Sequence, residues 1–122
     1  MNIRYSEFVK RNYRKNRTIV SRDIASMKIV AISQRGKKRD FIDLYWLISV
    51  NGFSLYDVIK HSVSQYPEQE HSLPHFIKSL TYFADAEEDP MPKLHFKADW
   101  DEIKVYFRRV VPGVAKEILE LE

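Results

Sequence analysis

A chain of 122 residues with 44% hydrophobic and 30% charged side chains is long enough for one domain with a real core, and its three glycines and five prolines argue against disorder and against a turn-rich all-β fold. The absence of cysteine excludes disulfides, thiolate catalysis and cysteine-ligated zinc. No stretch approaches the roughly 20 apolar residues that cross a bilayer, and the basic start "MNIRYSEFVKRNYRKNR" lacks a signal-peptide core, so a cytoplasmic protein with no membrane partner is expected.

The net charge of +3 conceals an asymmetry: residues 1–40 hold 12 Lys and Arg against 3 Asp and Glu, whereas residues 41–122 hold 8 against 14. A basic end beside an acidic one fits a phosphate-binding surface, and it equally fits two halves that attract each other. Residues 1–20 form a basic segment in this reading, followed by a helical domain over 21–122. Within the segment, "KRNYRKNR" (10–17) interleaves cations with a tyrosine. Its Arg11, Arg14, Lys15 and Arg17 are candidate RNA contacts, with an exposed solubilising tail as the plain alternative.

"RTIVS" (17–21) is β-favouring and predicts a short strand, after which Ser21 caps a helix over 22–35 that stops at Gly36. A second helix spans 37–50 with Phe41, Leu44, Tyr45 and Ile48 at core spacing, closed by Asn51-Gly52. Ser54 and Asp57 open a third helix in a near capping box, and "PEQEHSLP" reads as a loop. Pro74 starts a fourth helix, "PHFIKSLTYFADA", whose Phe76, Leu80, Tyr82 and Phe83 read as core. "EEDPMPK" cannot be helical. Asp99 caps a fifth helix, and Pro112 either ends it or kinks it into "GVAKEILELE". The expected fold is mainly α, a bundle of five to six helices with at most one short N-terminal strand.

One segment carries charge where burial alone would not. In "DIASMKIVAISQRGKKRDFIDLYWL" (23–47), Lys28 sits among Ile24, Ala31 and Ile32 with Arg35 nearly in line, and Asp40, Asp43, Leu44 and Leu47 share a face of the next helix. A lysine on an apolar face needs an anionic partner or a route to water. An antiparallel hairpin about Gly36 sets Lys28 and Arg35 opposite Asp40 and Asp43, with Arg39 and Asp43 paired at i,i+4. Two readings stay open: a structural salt-bridge network, or a phosphate site built from a point-charge lysine, a forked arginine and orienting carboxylates.

This segment resembles the nucleotidyltransferase toxins of the AbiEii/AbiGii type, found in abortive-infection and type IV toxin–antitoxin systems. The likeness continues in "SLTYFADAEEDPMPKL" (79–94) and "DWDEIKVYFRR" (99–109), covering most of residues 19–110 in order. The resemblance implies that Lys28 meets nucleotide phosphates and that Arg39 supports the catalytic motif, while Arg35 and Arg39 are further candidate phosphate contacts from their charge and spacing. It further implies that Asp40 belongs to the family's later catalytic motif, supported by Asp43. Family members move a nucleotide from an NTP to an acceptor, which in related toxins is tRNA.

An upstream Gly-Ser turn followed by a D-x-D pair, which binds Mg²⁺ in that superfamily, is not found here. The one D-x-D, Asp99-Trp100-Asp101, reads as a helix cap. Only about twenty residues precede "DIASMK". The chain is therefore expected to be the C-terminal helical region without its catalytic half, inactive alone, with Mg²⁺ and NTP implied only where a core supplies the rest. Such a module invites a separate core, an antitoxin or a second copy as partner. No metal site is expected from the histidines, since Pro74 separates His71 from His75. Ser21, Ser54 and Ser79 lack any nucleophile motif.

Overall fold

The computed structural model describes the backbone of residues 3–94 and 96–120 and the side chains of 19–68, 72–94 and 96–119. The chain is mainly α-helical. Helix α1 is Ile3–Gln34, α2 Lys38–Asn51, α3 Leu55–Gln65, α4 Leu73–Ser79, α5 the single turn Ala84–Glu87, and α6 Trp100–Glu120, with a 3₁₀ segment at Pro67–Ser72. Helix α1 packs against α2, α3 and α4, while α6 closes the other side against α2, α3 and α4.

The strand expected over 17–21 does not form, and Ser21 caps nothing, because α1 runs straight through both. Thr18, Ile19 and Val20 cost a helix only a few tenths of a kcal/mol each, and extending an existing helix is cheaper than nucleating a new one. Ile19 and Val20 are exposed, so no sheet partner competes for them. Gly36, with φ of +55°, does end the run at the required left-handed position. Gly52 repeats the device after α2, its N–H reaching back to the carbonyl of Ile48.

The near capping box of α3 is in place, with Ser54 Oγ accepting from the Asp57 N–H at 3.0 Å. Asp99 Oδ1 likewise accepts from the Glu102 N–H at 3.2 Å. The expected loop 67–74 is instead a 3₁₀ segment leading into α4, with Pro74 in its first turn. The expected fourth helix is cut short after Ser79. Three i→i−3 bonds turn the chain at 80–82, which brings Leu80 and Phe83 into the core and leaves Tyr82 exposed. Pro112 lies inside α6 on its exposed side, where water reaches the carbonyl it cannot bond, and the helix continues to Glu120.

The core is built from helical repeats: Ala25, Ile29 and Ile32 of α1; Phe41, Leu44 and Ile48 of α2; Ile103, Phe107, Val111, Val114 and Ile118 of α6. Phe41 is its centre, with ring centroids 5.1 Å from Phe83, 5.6 Å from Phe107 and 5.9 Å from Trp100. The 88–99 connection is anchored by Asp89. Its carboxylate accepts the first N–H of α2, at Lys38, at 2.9 Å, and its carbonyl accepts from Lys38 Nζ at 2.7 Å. An acidic group from 51 residues away thus does the N-capping that Lys37 does not. Beside it, Glu87 accepts from Lys104 Nζ at 2.6 Å and from Trp100 Nε1 at 3.3 Å.

Two outcomes follow for stability. Phe41→Ala empties the centre of the aromatic cluster and lowers unfolding free energy by about 3–5 kcal/mol in a denaturant titration. Glu87 holds its proton less tightly than an ordinary carboxyl, first through the Lys104 hydrogen bond and then through Trp100. Its stabilisation is therefore complete above the unfolded carboxyl pKa of about 4.3 and is lost as pH falls through the depressed folded value. The melting temperature of Glu87→Gln falls below wild type at pH 7, and the two converge towards pH 3.

Candidate functional site

The α1–α2 hairpin brings together every charged side chain singled out in its sequence. Gly36 reverses the chain so that the last two turns of α1 run beside the first two of α2. Arg35 meets Asp40 through two charge-assisted bonds, Nε to Oδ2 and a terminal nitrogen to Oδ1, both at 2.8 Å. Lys28 Nζ lies 3.0 Å from Asp43 Oδ2 and 3.5 Å from Asp40 Oδ1. Arg39 Nε stands 3.7 Å from Asp43 Oδ2, the i,i+4 pair.

The two aspartates differ sharply in setting. Asp40 is 1% exposed, whereas Asp43 and Lys28 are each 22% exposed and the Arg35 and Arg39 guanidinium ends reach solvent. A carboxylate this buried is costly without close cations, and here it has two, Arg35 and Lys28. The hydrogen bond to Asp40, with the carboxylate's charge second, raises the Arg35 pKa further above its already high value. Lys28 lies at the edge of the buried Ala25–Ile29–Ile32 face rather than at the centre of it, which lets its ammonium reach past α2.

Lys28 is among the residues that line a cavity of about 310 Å³. Lys28, Arg39, Asp43 and Lys93 form its charged side, and Ile24, Trp46, Leu47, Val50, Leu94 and Phe96 its apolar wall, with Ser21 and Asn51 as uncharged polar members. Trp46 and Phe96 meet edge to face at 5.0 Å. Asp40 and Arg35 are not part of this lining. Asp40 thus lies behind Lys28, while Lys28, Arg39 and Asp43 line the cavity.

Sequence reasoning missed Lys93, Trp46, Leu94 and Phe96 as members of the site. Trp46 was within reach, because it follows Asp43 by three residues and shares its face of α2. Lys93, Leu94 and Phe96 arrive only through the Asp89 anchor, which no local pattern announces.

Mg²⁺ takes about six oxygen ligands, several of them carboxylates or water. The donor set here does not fit it. Both Asp40 oxygens are engaged by Arg35, and Asp43 is engaged by Lys28 and Arg39. His61 Nε2 is bound to Asp23 at 2.8 Å and His75 Nε2 to the Ser33 carbonyl at 2.8 Å. His71 and His95 lie outside the described side chains, as do Arg11, Arg14, Lys15 and Arg17. The cavity lining carries three cations, Lys28, Arg39 and Lys93, and one carboxylate, Asp43.

The two settings of Asp40 and Asp43 separate in denaturation. Asp40→Asn leaves Arg35 without its anion, while Lys28 keeps Asp43, and lowers stability by about 2 kcal/mol, less than the roughly 3–5 kcal/mol of a wholly buried pair because Arg35 reaches water. Asp43→Asn, at the rim, changes it by less than about 1 kcal/mol.

A family model for the nucleotidyl transferase AbiEii toxin of type IV toxin–antitoxin systems matches residues 12–115. An uncharacterized protein of Aquifex aeolicus (strain VF5) is 39% identical over 99 residues, which are 81% of this chain and 44% of that protein. The chain therefore spans less than half the length of this curated relative. No solved structure matches it. With Lys28, Arg35, Asp40 and Asp43 lying inside the matched region, the chain belongs to the AbiEii nucleotidyl transferase toxin family of type IV toxin–antitoxin systems.

Proposed function

We propose that this chain is the cation-bearing helical half of a nucleotidyl-transfer site, with Lys28 and Arg39 neutralising the phosphates of an NTP. The observation that carries this reading is that Lys28, paired with Asp43 and with the fully buried Asp40, lines the cavity together with Arg39 and Lys93. A lysine held this way loses little freedom on meeting a phosphate, so its charge is preorganised for the developing phosphoryl charge. Asp40 and Arg35 act as the support that fixes it, and Asp43 orients Lys28 and Arg39 from the cavity side.

In a complete site, Mg²⁺ would supply further positive charge toward the phosphates. The carboxylates for it belong to a separate catalytic core in this proposal, since Asp40 and Asp43 are occupied by cations. The 122-residue chain is accordingly inactive alone. The acceptor is tRNA, drawn to the Lys- and Arg-rich run over 10–17. A core or antitoxin partner has an apolar face to cover on α1, where Val20, Ile24 and Met27 are exposed. No helix among the described residues is long and apolar enough to cross a membrane, which suits an enzyme module working on free nucleotides and RNA in the cytoplasm.

The test is transfer of label from Mg²⁺-NTP to tRNA. The pure chain gives none, and activity appears on mixing with a family catalytic core. Lys28→Ala then lowers the rate about 100-fold or more. Changing Arg11, Arg14, Lys15 and Arg17 to Ala weakens tRNA binding and flattens its salt dependence. Turnover by the chain alone, or full activity of Lys28→Ala, overturns the proposal.

A further inference from the structure

The cavity beside Lys28 is larger than a phosphate contact requires, and most of its wall is apolar. We propose that it takes the nucleoside end of the triphosphate, so that the helical module binds the nucleobase as well as the phosphates. This rests on the phosphate reading above and extends it to the rest of the same ligand.

Four features converge on a nucleotide as the occupant. The first is size, since a cavity of about 310 Å³ lies at the small end of the roughly 300–1,000 Å³ range of ligand sites, suited to a nucleoside rather than a peptide or lipid chain. The second is charge. Lys28, Arg39 and Lys93 against Asp43 leave an excess of two positive charges, which an apolar guest would leave uncompensated and a triphosphate neutralises. The third is the wall, where half-buried Trp46 and Phe96 present aromatic surface, on which any base stacks, between Leu47 and Leu94.

The fourth feature is order along α2. Arg39 and Asp43 lie at the start of the helix, Trp46 and Leu47 in the middle, and Val50 and Asn51 at its end. At 1.5 Å per residue, Arg39 to Val50 spans about 16 Å along the axis, room for phosphates and nucleoside end to end. Phosphates then sit at the N-terminal end of α2 and the base at its C-terminal end. Asn51 donates one amide hydrogen to the Leu47 carbonyl at 2.8 Å, so its side chain is fixed beside the base rather than free to swing away.

The chain carries two tryptophans, Trp46 and Trp100, so a Trp100→Phe variant makes Trp46 the sole indole reporter. Its fluorescence is followed while nucleoside triphosphates or inorganic tripolyphosphate are added, and calorimetry on the unaltered chain gives the affinities. NTPs are expected to quench Trp46 and to bind at least about tenfold tighter than tripolyphosphate, a gain of the size one stacked base provides. Trp46→Ala is expected to remove that gain and leave tripolyphosphate affinity unchanged. Equal affinities of NTP and tripolyphosphate in the unaltered chain overturn the nucleobase assignment alone and leave the phosphate reading standing. Binding of neither overturns both. A Trp46 signal that follows protein concentration without nucleotide marks a second copy as the occupant and overturns the assignment.

Discussion

Taking the Asp40 carboxylate out of water is the costliest electrostatic step in this fold, and the α1–α2 hairpin is arranged around meeting that cost. Arg35 closes on both oxygens from the end of α1, and Lys28 approaches from two turns earlier. Both partners come from one side of Gly36 and the carboxylate from the other. The register of the hairpin is therefore fixed by charge geometry as well as by apolar packing. A slip of one residue in either helix would separate the guanidinium fork from its carboxylate and leave a buried anion unpaired.

The same arrangement decides which cations stay available. Arg35 is consumed by Asp40, whereas Lys28 shares its ammonium between Asp40 and Asp43 and keeps a face toward the cavity. The apolar wall opposite depends on a second anchor. Asp89 bonds the start of α2, and Lys38, held over the Trp100 ring at 5.3 Å, ties that contact to the aromatic cluster. Beyond Asp89, Lys93, Leu94 and Phe96 line the cavity with Trp46 and Leu47, and the Phe96 ring meets that of Trp46. The cavity is thus bounded by one local motif and one long-range contact.

That division explains what was legible in the sequence. The hairpin, its ion pairs, both glycine stops, the Ser54 cap and the Asp99 cap of α6 are short-range features with spacing rules, and each was readable. The length of α1 was not, because β-branched Thr18–Val20 look extended in isolation and only the running helix on either side overrules them. The break after Ser79 was equally hidden. No glycine or proline marks it, and it exists because Leu80 and Phe83 are both drawn into the core around Phe41. Lys93 carried no signal at all, since its place beside Lys28 depends on Asp89 reaching Lys38.

The structural and the phosphate readings of the charged hairpin, distinct in the sequence, are combined in one physical arrangement by the proposed function. A lysine paired only for stability would be satisfied by one carboxylate and would have no reason to border an open cavity with two further cations. A lysine serving only a ligand would need something to hold it still in the ligand's absence. Asp40 and Asp43 divide these duties, one buried and fixed, the other half-exposed and facing the ligand space. In the proposed function, Lys28 and Arg39 shift part of their pairing from Asp43 to the phosphate without disturbing the Asp40–Arg35 clamp. The ligand then competes with a rim carboxylate rather than with a buried one, which keeps binding compatible with an intact hairpin.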